Sequence, residues 1–266
     1  MRCTRSRACV RVFLLARLSF RLGDHGRYHA RDNEKESMVP RHPEPAIAQS
    51  VVEKVFKRRG RLHAFETLDP VRTALVVVDL DTRTMEQPDN GRLRSFAPKV
   101  NAIAKELRQN GGTVAWVTTP VREASENFLA IYGADFAKMH VDATNEHGTT
   151  TTVWSGLDSC ENDIFVEKTG GSAFFPGNCD LHQKLDRLGI RSLLILGMVT
   201  SVCCESTARD ATELDYQVTM VSDVMWGHKQ GQHEATLTTF YQNFGDVRVS
   251  DDVIELIGNR KTRLNA

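Results

Sequence analysis

The sequence predicts an α/β fold, a doubly wound three-layer sandwich around a mostly parallel sheet of about six strands. Short apolar, β-branched runs recur along the 266 residues, helical stretches separate them, and no internal repeat is present. Parallel strands need crossover connections, and this alternation supplies them.

The elements follow in order. After an irregular lead over 38–70, the run Thr73-Ala74-Leu75-Val76-Val77-Val78 reads as a buried strand that ends in the carboxylate of Asp79. A helix is expected near 97–109, closed by Gly111-Gly112, and a second strand over 113–118. The polar, mixed stretch 121–162 is expected to hold one helix and a loop able to cover a pocket. A third strand ends at Lys168, before the turn Thr169-Gly170-Gly171-Ser172-Ala173-Phe174-Phe175-Pro176-Gly177. A helix over about 180–188, a strand over 193–196, a helix starting at Cys203, a strand over 217–222, a helix over about 234–241 and a strand over 247–249 complete the set.

The densest motif is Gly197-Met198-Val199-Thr200-Ser201-Val202-Cys203-Cys204-Glu205-Ser206-Thr207-Ala208-Arg209-Asp210-Ala211, where a cysteine stands between a buried strand and a helix. A thiol at a helix start meets unpaired amides and the positive end of the dipole, which favour the reactive thiolate. The competing reading makes Cys203 and Cys204 two small buried apolar residues. Asp79 and Lys168 stand at strand ends, where open α/β sheets bind ligands, though either is equally a cap or a solvated loop charge.

An apolar strand ending in Asp79, Lys168 four residues before Ser172-Ala173-Phe174, and Gly197-x-x-Thr200-x-x-Cys203 ahead of Ser206-Thr207-Ala208-Arg209-Asp210-Ala211 together resemble the isochorismatase-like cysteine hydrolase family. The resemblance runs over about residues 70 to 255. Phe174-Phe175-Pro176-Gly177 and the doubled cysteine are similar to its amidohydrolase branch, which includes streptothricin-hydrolase-like and ureidoacrylate-hydrolase-like enzymes. The resemblance implies a triad of Asp79, Lys168 and Cys203, and a non-proline cis peptide at Met198-Val199. It also implies an oxyanion hole from the amides of Val199 and Cys203, and assembly as a homodimer or homotetramer.

In chemical terms, Asp79 would take the thiol proton and return it to a leaving amine, while the Lys168 ammonium holds the carboxylate. Asp81, Trp116, Phe174 and Met198 are candidates for the substrate pocket. The pattern departs from the family at three places: Asp81 replaces the usual Gln, Thr82-Arg83-Thr84-Met85 the usual Asn-Asp-Phe, and Gly171 an aromatic residue. Asp81 would share a side of an extended segment with Asp79 and raise its neighbour's proton affinity.

Several chemistries are disfavoured. There is no Gly-x-Ser-x-Gly elbow, no Gly-x-Gly-x-x-Gly and no phosphate-binding P-loop. Past residue 37 the histidines lack His-x-x-x-His spacing, no Cys-x-x-Cys occurs, and Val117-Thr118-Thr119-Pro120-Val121-Arg122-Glu123 lacks the Asp-x-His of the nicotinamidase branch. No metal and no cofactor is expected, and His228 and His233 read as surface or capping residues.

Composition is that of a soluble globular protein, at 41% hydrophobic and 26% charged. The nine basic and four acidic residues of 1–37 leave the remainder mildly acidic, with no electrostatic footprint for nucleic acid. Residues 1–37, free of acid until Asp24, read as an extension without a fold ahead of Met38, with an Arg-rich transit segment as the alternative. Arg11 and Arg17 interrupt any secretory core, and no run reaches transmembrane length. The domain is expected over 71–258, with a tail over 259–266. The six cysteines do not form a disulfide framework, which suits a cytoplasmic thiol enzyme.

The expected activity is metal-independent hydrolysis of an amide C–N bond in a small molecule through a thioester. The alternatives are vinyl-ether hydrolysis of the isochorismatase type, which uses the acid without the thiol, and a catalytically idle binding relative.

Overall fold

The structure is a computed structural model and describes residues 39–87, 90–120, 123–138 and 152–259. The expected extension over 1–37, most of the tail and the central part of the covering loop lie outside the described residues.

Six strands carry the fold: β1 (Thr73–Val78), β2 (Thr113–Thr118), β3 (Ile164–Glu167), β4 (Ser192–Met198), β5 (Gln217–Trp226) and β6 (Asp246–Arg248). They form one sheet in the order β3-β2-β1-β4-β5-β6, and every pairing is parallel. β1 lies in the middle, with Val76 beside Ala115 of β2 and Ile195 of β4. All six of its residues are buried. Burying one valine side chain is worth about 1.5–3 kcal/mol, so a β-branched run is most stable where both faces of the sheet are covered.

Helices among the described residues include α1 (Gln49–Arg59), α2 (Thr82–Met85), α3 (Gly91–Arg94), α4 (Ala97–Gln109), α5 (Glu126–Tyr132), α6 (Leu181–Arg187), α7 (Glu205–Glu213), α8 (Gln230–Asn243) and α9 (Ser250–Gly258). α4 buries Val100, Ile103, Ala104 and Leu107 at helical spacing, and packs with α9 over β1, β2 and β5. α7 and α8 cover β5 and β6 from the other face. The result is the three-layer, doubly wound arrangement.

Three local expectations are corrected. The lead is not wholly irregular, because α1 buries Val52 and Val55 beside α8 and ends on Gly60 at φ 72°. β3 ends at Glu167, one residue before Lys168. Regular α-helix begins at Glu205, because Thr200–Cys204 forms a π-turn in which the Cys204 amide donates to the Val199 carbonyl. α9 was not expected; Val253 and Ile257 bury its inner face.

The strand order reverses between β1 and β4. From β1 the chain builds outward through β2 to β3, then returns to β4 and builds the other way. The carboxyl ends of β1 and β4 therefore flank the crevice where such sheets bind ligands.

Candidate active site

Three strand ends deliver the chemistry to this crevice. Asp79 follows β1 at φ 55°, a left-handed conformation rare for a non-glycine residue, with its amide donating to the Val117 carbonyl at 2.8 Å. Lys168 extends the β2–β3 pairing by one residue, its amide donating to the Thr118 carbonyl at 2.8 Å. Cys203 sits in the π-turn after β4.

These side chains converge. Lys168 Nζ lies 2.9 Å from Asp79 Oδ2 and donates to Cys203 Sγ at 3.4 Å. A fourth residue joins them: Lys168 Nζ donates to Thr119 Oγ1 at 2.6 Å, and the Thr119 hydroxyl donates to Asp79 Oδ1 at 2.8 Å. Lys168 is only 1% exposed, so all three ammonium N–H donors must find partners, and these three acceptors supply them.

Electrostatics separate the two cysteines and correct the thiolate expected at a helix start. Burial and the neighbouring Asp79 carboxylate push the Cys203 thiol up to about 11, against the opposing pull of the Lys168 ammonium. Desolvation and an adjacent anion outweigh the turn's dipole, so the resting group is a thiol that hydrogen-bonds to Asp79. Cys204 is fully buried, and burial holds its thiol well above the usual range. For Lys168, burial pulls the ammonium down, but Asp79 and Cys203 together raise it above the ordinary lysine value.

The turn carrying Cys203 has its own supports. The Met198–Val199 peptide bond is cis, and the Val199 carbonyl accepts from the amides of Val202 and Cys204. Fully buried Thr200 shares a 2.9 Å hydrogen bond with His233 Nδ1 at the start of α8. His233 therefore braces this turn, and His228 packs edge-on to Trp226. Among the described residues, no three His, Cys, Asp or Glu side chains gather where they could hold a metal ion. Cys160, Cys179, Cys203 and Cys204 are all free thiols.

Such a site has the parts for nucleophilic attack: a thiol, a carboxylate to receive its proton, and an ammonium touching both. The isochorismatase domain model matches residues 73–252, from the first residue of β1 into α9. The chain belongs to the isochorismatase family. It is 28% identical over 196 residues to the uncharacterized isochorismatase family protein YwoC of Bacillus subtilis, covering 71% of this chain and 96% of that one. Over 95 residues it is 39% identical to the ureidoacrylate amidohydrolase RutB of Variovorax paradoxus, a match covering 35% of this chain and 36% of that protein. The fold is similar to the crystal structure of a cysteine hydrolase from Pseudomonas syringae pv. phaseolicola, with a TM-score of 0.64, 23% identity, and coverage of 75% and 98% of the two chains.

Of the four expected pocket residues of this isochorismatase-family protein, Asp81, Trp116 and Phe174 are buried and Met198 is half-buried. Asp81 is fully buried as the N-cap of α2, accepting the Thr84 amide at 2.8 Å and facing Arg83 Nη2 at 3.4 Å. Burial raises its carboxyl, and Arg83 counters this, so Asp81 shapes the loop from beneath rather than forming a pocket wall. Trp116 is 2% exposed and donates through Nε1 to Asp163 at 2.7 Å. It borders a cavity of about 380 Å³ with Thr118, Val153 and Phe165, whose walls include none of Asp79, Lys168 and Cys203. Phe174 is buried against Tyr216 and His182. Met198 is half-buried against the core, immediately before the cis bond. Thr119 was missed because a threonine at a strand end has no chemistry of its own until partners surround it.

Proposed function

We propose that this protein is a metal-independent cysteine hydrolase that cleaves an amide C–N bond of a small molecule through a thioester on Cys203. The observation that carries the proposal is one ammonium, Lys168 Nζ, lying 2.9 Å from the Asp79 carboxylate and 3.4 Å from the Cys203 sulfur. The amidohydrolase RutB, similar over part of the chain, supports the choice of bond.

As Sγ attacks the carbonyl carbon, the thiol proton passes to Asp79 and the carbonyl oxygen becomes an oxyanion. Because the thiol is held up to about 11, attack needs a base to take its proton, and Asp79 is that base. The amides of Val199 and Cys203 are the proposed donors to the oxyanion. Collapse breaks the C–N bond, the proton leaves Asp79 for the departing nitrogen, and the thioester remains. Asp79 then takes a proton from water, hydroxide oxygen adds to the thioester carbon, and the carboxylic acid departs as the thiol is restored. Lys168 stays charged throughout and holds the carboxylate in line.

Purified protein screened with amides, ureides and lactams in the presence of a chelator should release ammonia or amine. Cys203→Ala should abolish that release. Turnover by the alanine variant, or activity that chelation removes and a divalent metal restores, would overturn the proposal.

A further inference from the structure

We propose that Thr119 is a positioning residue that locks the Asp79–Lys168 pair, and that its hydroxyl is the part of the side chain the site requires. The inference rests on the cysteine-hydrolase reading above and extends it to a residue outside the triad.

The direction of each hydrogen bond follows from the chemistry of the partners. An ammonium can only donate, so Thr119 Oγ1 must accept from Lys168 Nζ at 2.6 Å. The single hydroxyl proton is then left for Asp79 Oδ1, 2.8 Å away. Asp79 Oδ2 faces Lys168 at 2.9 Å, so each carboxylate oxygen is held by a different donor. Asp79, Thr119 and Lys168 close a ring in which no side chain can rotate without breaking two contacts. The ring leaves the carboxylate in one orientation toward the Cys203 thiol.

The sheet sets Thr119 in place from both sides. Its neighbour Thr118 is the last residue of β2 and accepts the Lys168 amide, while Val117 accepts the Asp79 amide. The Thr119 carbonyl in turn receives Arg83 Nη2 at 3.4 Å, and that guanidinium also faces buried Asp81. Asp81, unusual for the family at its position, thereby connects to the site through Arg83 and the backbone of Thr119.

The titratable and charged groups around Asp79 are Lys168, the Cys203 and Cys204 thiols, and the Asp81–Arg83 pair, and the donor to Oδ1 is the Thr119 hydroxyl. Removing that hydroxyl frees Oδ1 and lets the carboxylate turn away from the thiol, so acylation should slow.

The test uses p-nitrophenyl acetate as an acylating probe. The Cys203 sulfur bonds to the acetyl carbon, the ester C–O bond breaks, and the thiol proton leaves by way of Asp79 to the nitrophenolate. The burst rate of the full chain is measured for the wild type, Thr119→Val, Thr119→Ala and Thr119→Ser, with circular dichroism to verify folding. Thr119→Val and Thr119→Ala should acylate about a hundredfold more slowly, as loss of alignment costs. Thr119→Ser, which keeps the hydroxyl, should stay within about threefold of the wild type. If the valine variant does not fold, the alanine and serine pair decides. A wild-type rate in the alanine variant, or equal damage in the serine variant, would overturn the role of Thr119. A burst that survives in Cys203→Ala would instead refute the catalytic reading itself.

Discussion

At neutral pH a thiol held up to about 11 is thiolate in only about one molecule in ten thousand, so Cys203 reacts at a useful rate only if a base takes its proton during attack. Asp79 is the base within reach, and Asp79→Asn should leave the fold intact while lowering turnover about a thousandfold. Asp81→Asn should act mainly on stability, because Asp81 caps α2 and neutralises Arg83 under the site. Brief treatment with iodoacetamide should label Cys203 before fully buried Cys204, at a rate that climbs as pH rises toward 11. Peptide mapping reads the order, and Cys204 labelled first would assign the nucleophile wrongly. That Asp79, Lys168 and Cys203 would meet was legible, because each sits in a spaced motif. The thiol's proton affinity was not, because it depends on how deeply the π-turn sinks Cys203 beside a carboxylate that is distant in sequence.

At the scale of elements, β-branched runs announced themselves. β1 and β4 are buried along almost their whole length and allow few other conformations for such residues. The helix α1 was harder to see, since its two buried residues, Val52 and Val55, leave a weak pattern in mostly polar sequence. Trp116 and Phe174 show a related limit: an aromatic residue beside a strand end implies burial, but tertiary packing decides which face it joins. A close junction between elements is Gly197, near the end of β4 beside Val78 of β1. Its φ is 120°, and a Cβ there would lie 2.1 Å from the Val78 carbonyl oxygen, backbone that cannot swing aside. Gly197→Ala should therefore cost about 3 kcal/mol through backbone strain and forced separation of β1 from β4. The same shift would move Asp79 relative to Cys203. Urea unfolding measures the first effect and activity the second; an alanine variant with unchanged midpoint would show that the strands can part cheaply.

Across the whole molecule, the lead that precedes β1 straps the β6 side of the sheet. The Arg59 guanidinium donates to the Tyr241 carbonyl at 2.6 Å, the Tyr241 hydroxyl donates to the Leu62 carbonyl at 2.7 Å, and Arg248 donates to the Phe65 carbonyl at 2.7 Å. His42 sits inside this seam, edge-on to the Tyr241 ring, with Nδ1 accepting the Glu44 amide at 3.0 Å. Burial lowers its pKa from 6.5 to about 4, aided by His63 and Arg248 and opposed by Asp246. Because the folded value lies below the unfolded one, the neutral ring's contribution is fully present above about pH 6.5. It is lost as pH falls toward 4, where protonating Nδ1 would also displace the Glu44 amide. The shift corresponds to roughly 3 kcal/mol between those limits. His42→Gln keeps an acceptor for Glu44 without a titrating ring, so its unfolding free energy should decline less steeply over this pH range than that of the wild type. Parallel pH dependences for the two proteins would mean that the seam does not sense acid through His42. A shallower slope in the variant would show that the fold loses stability through His42 as pH falls.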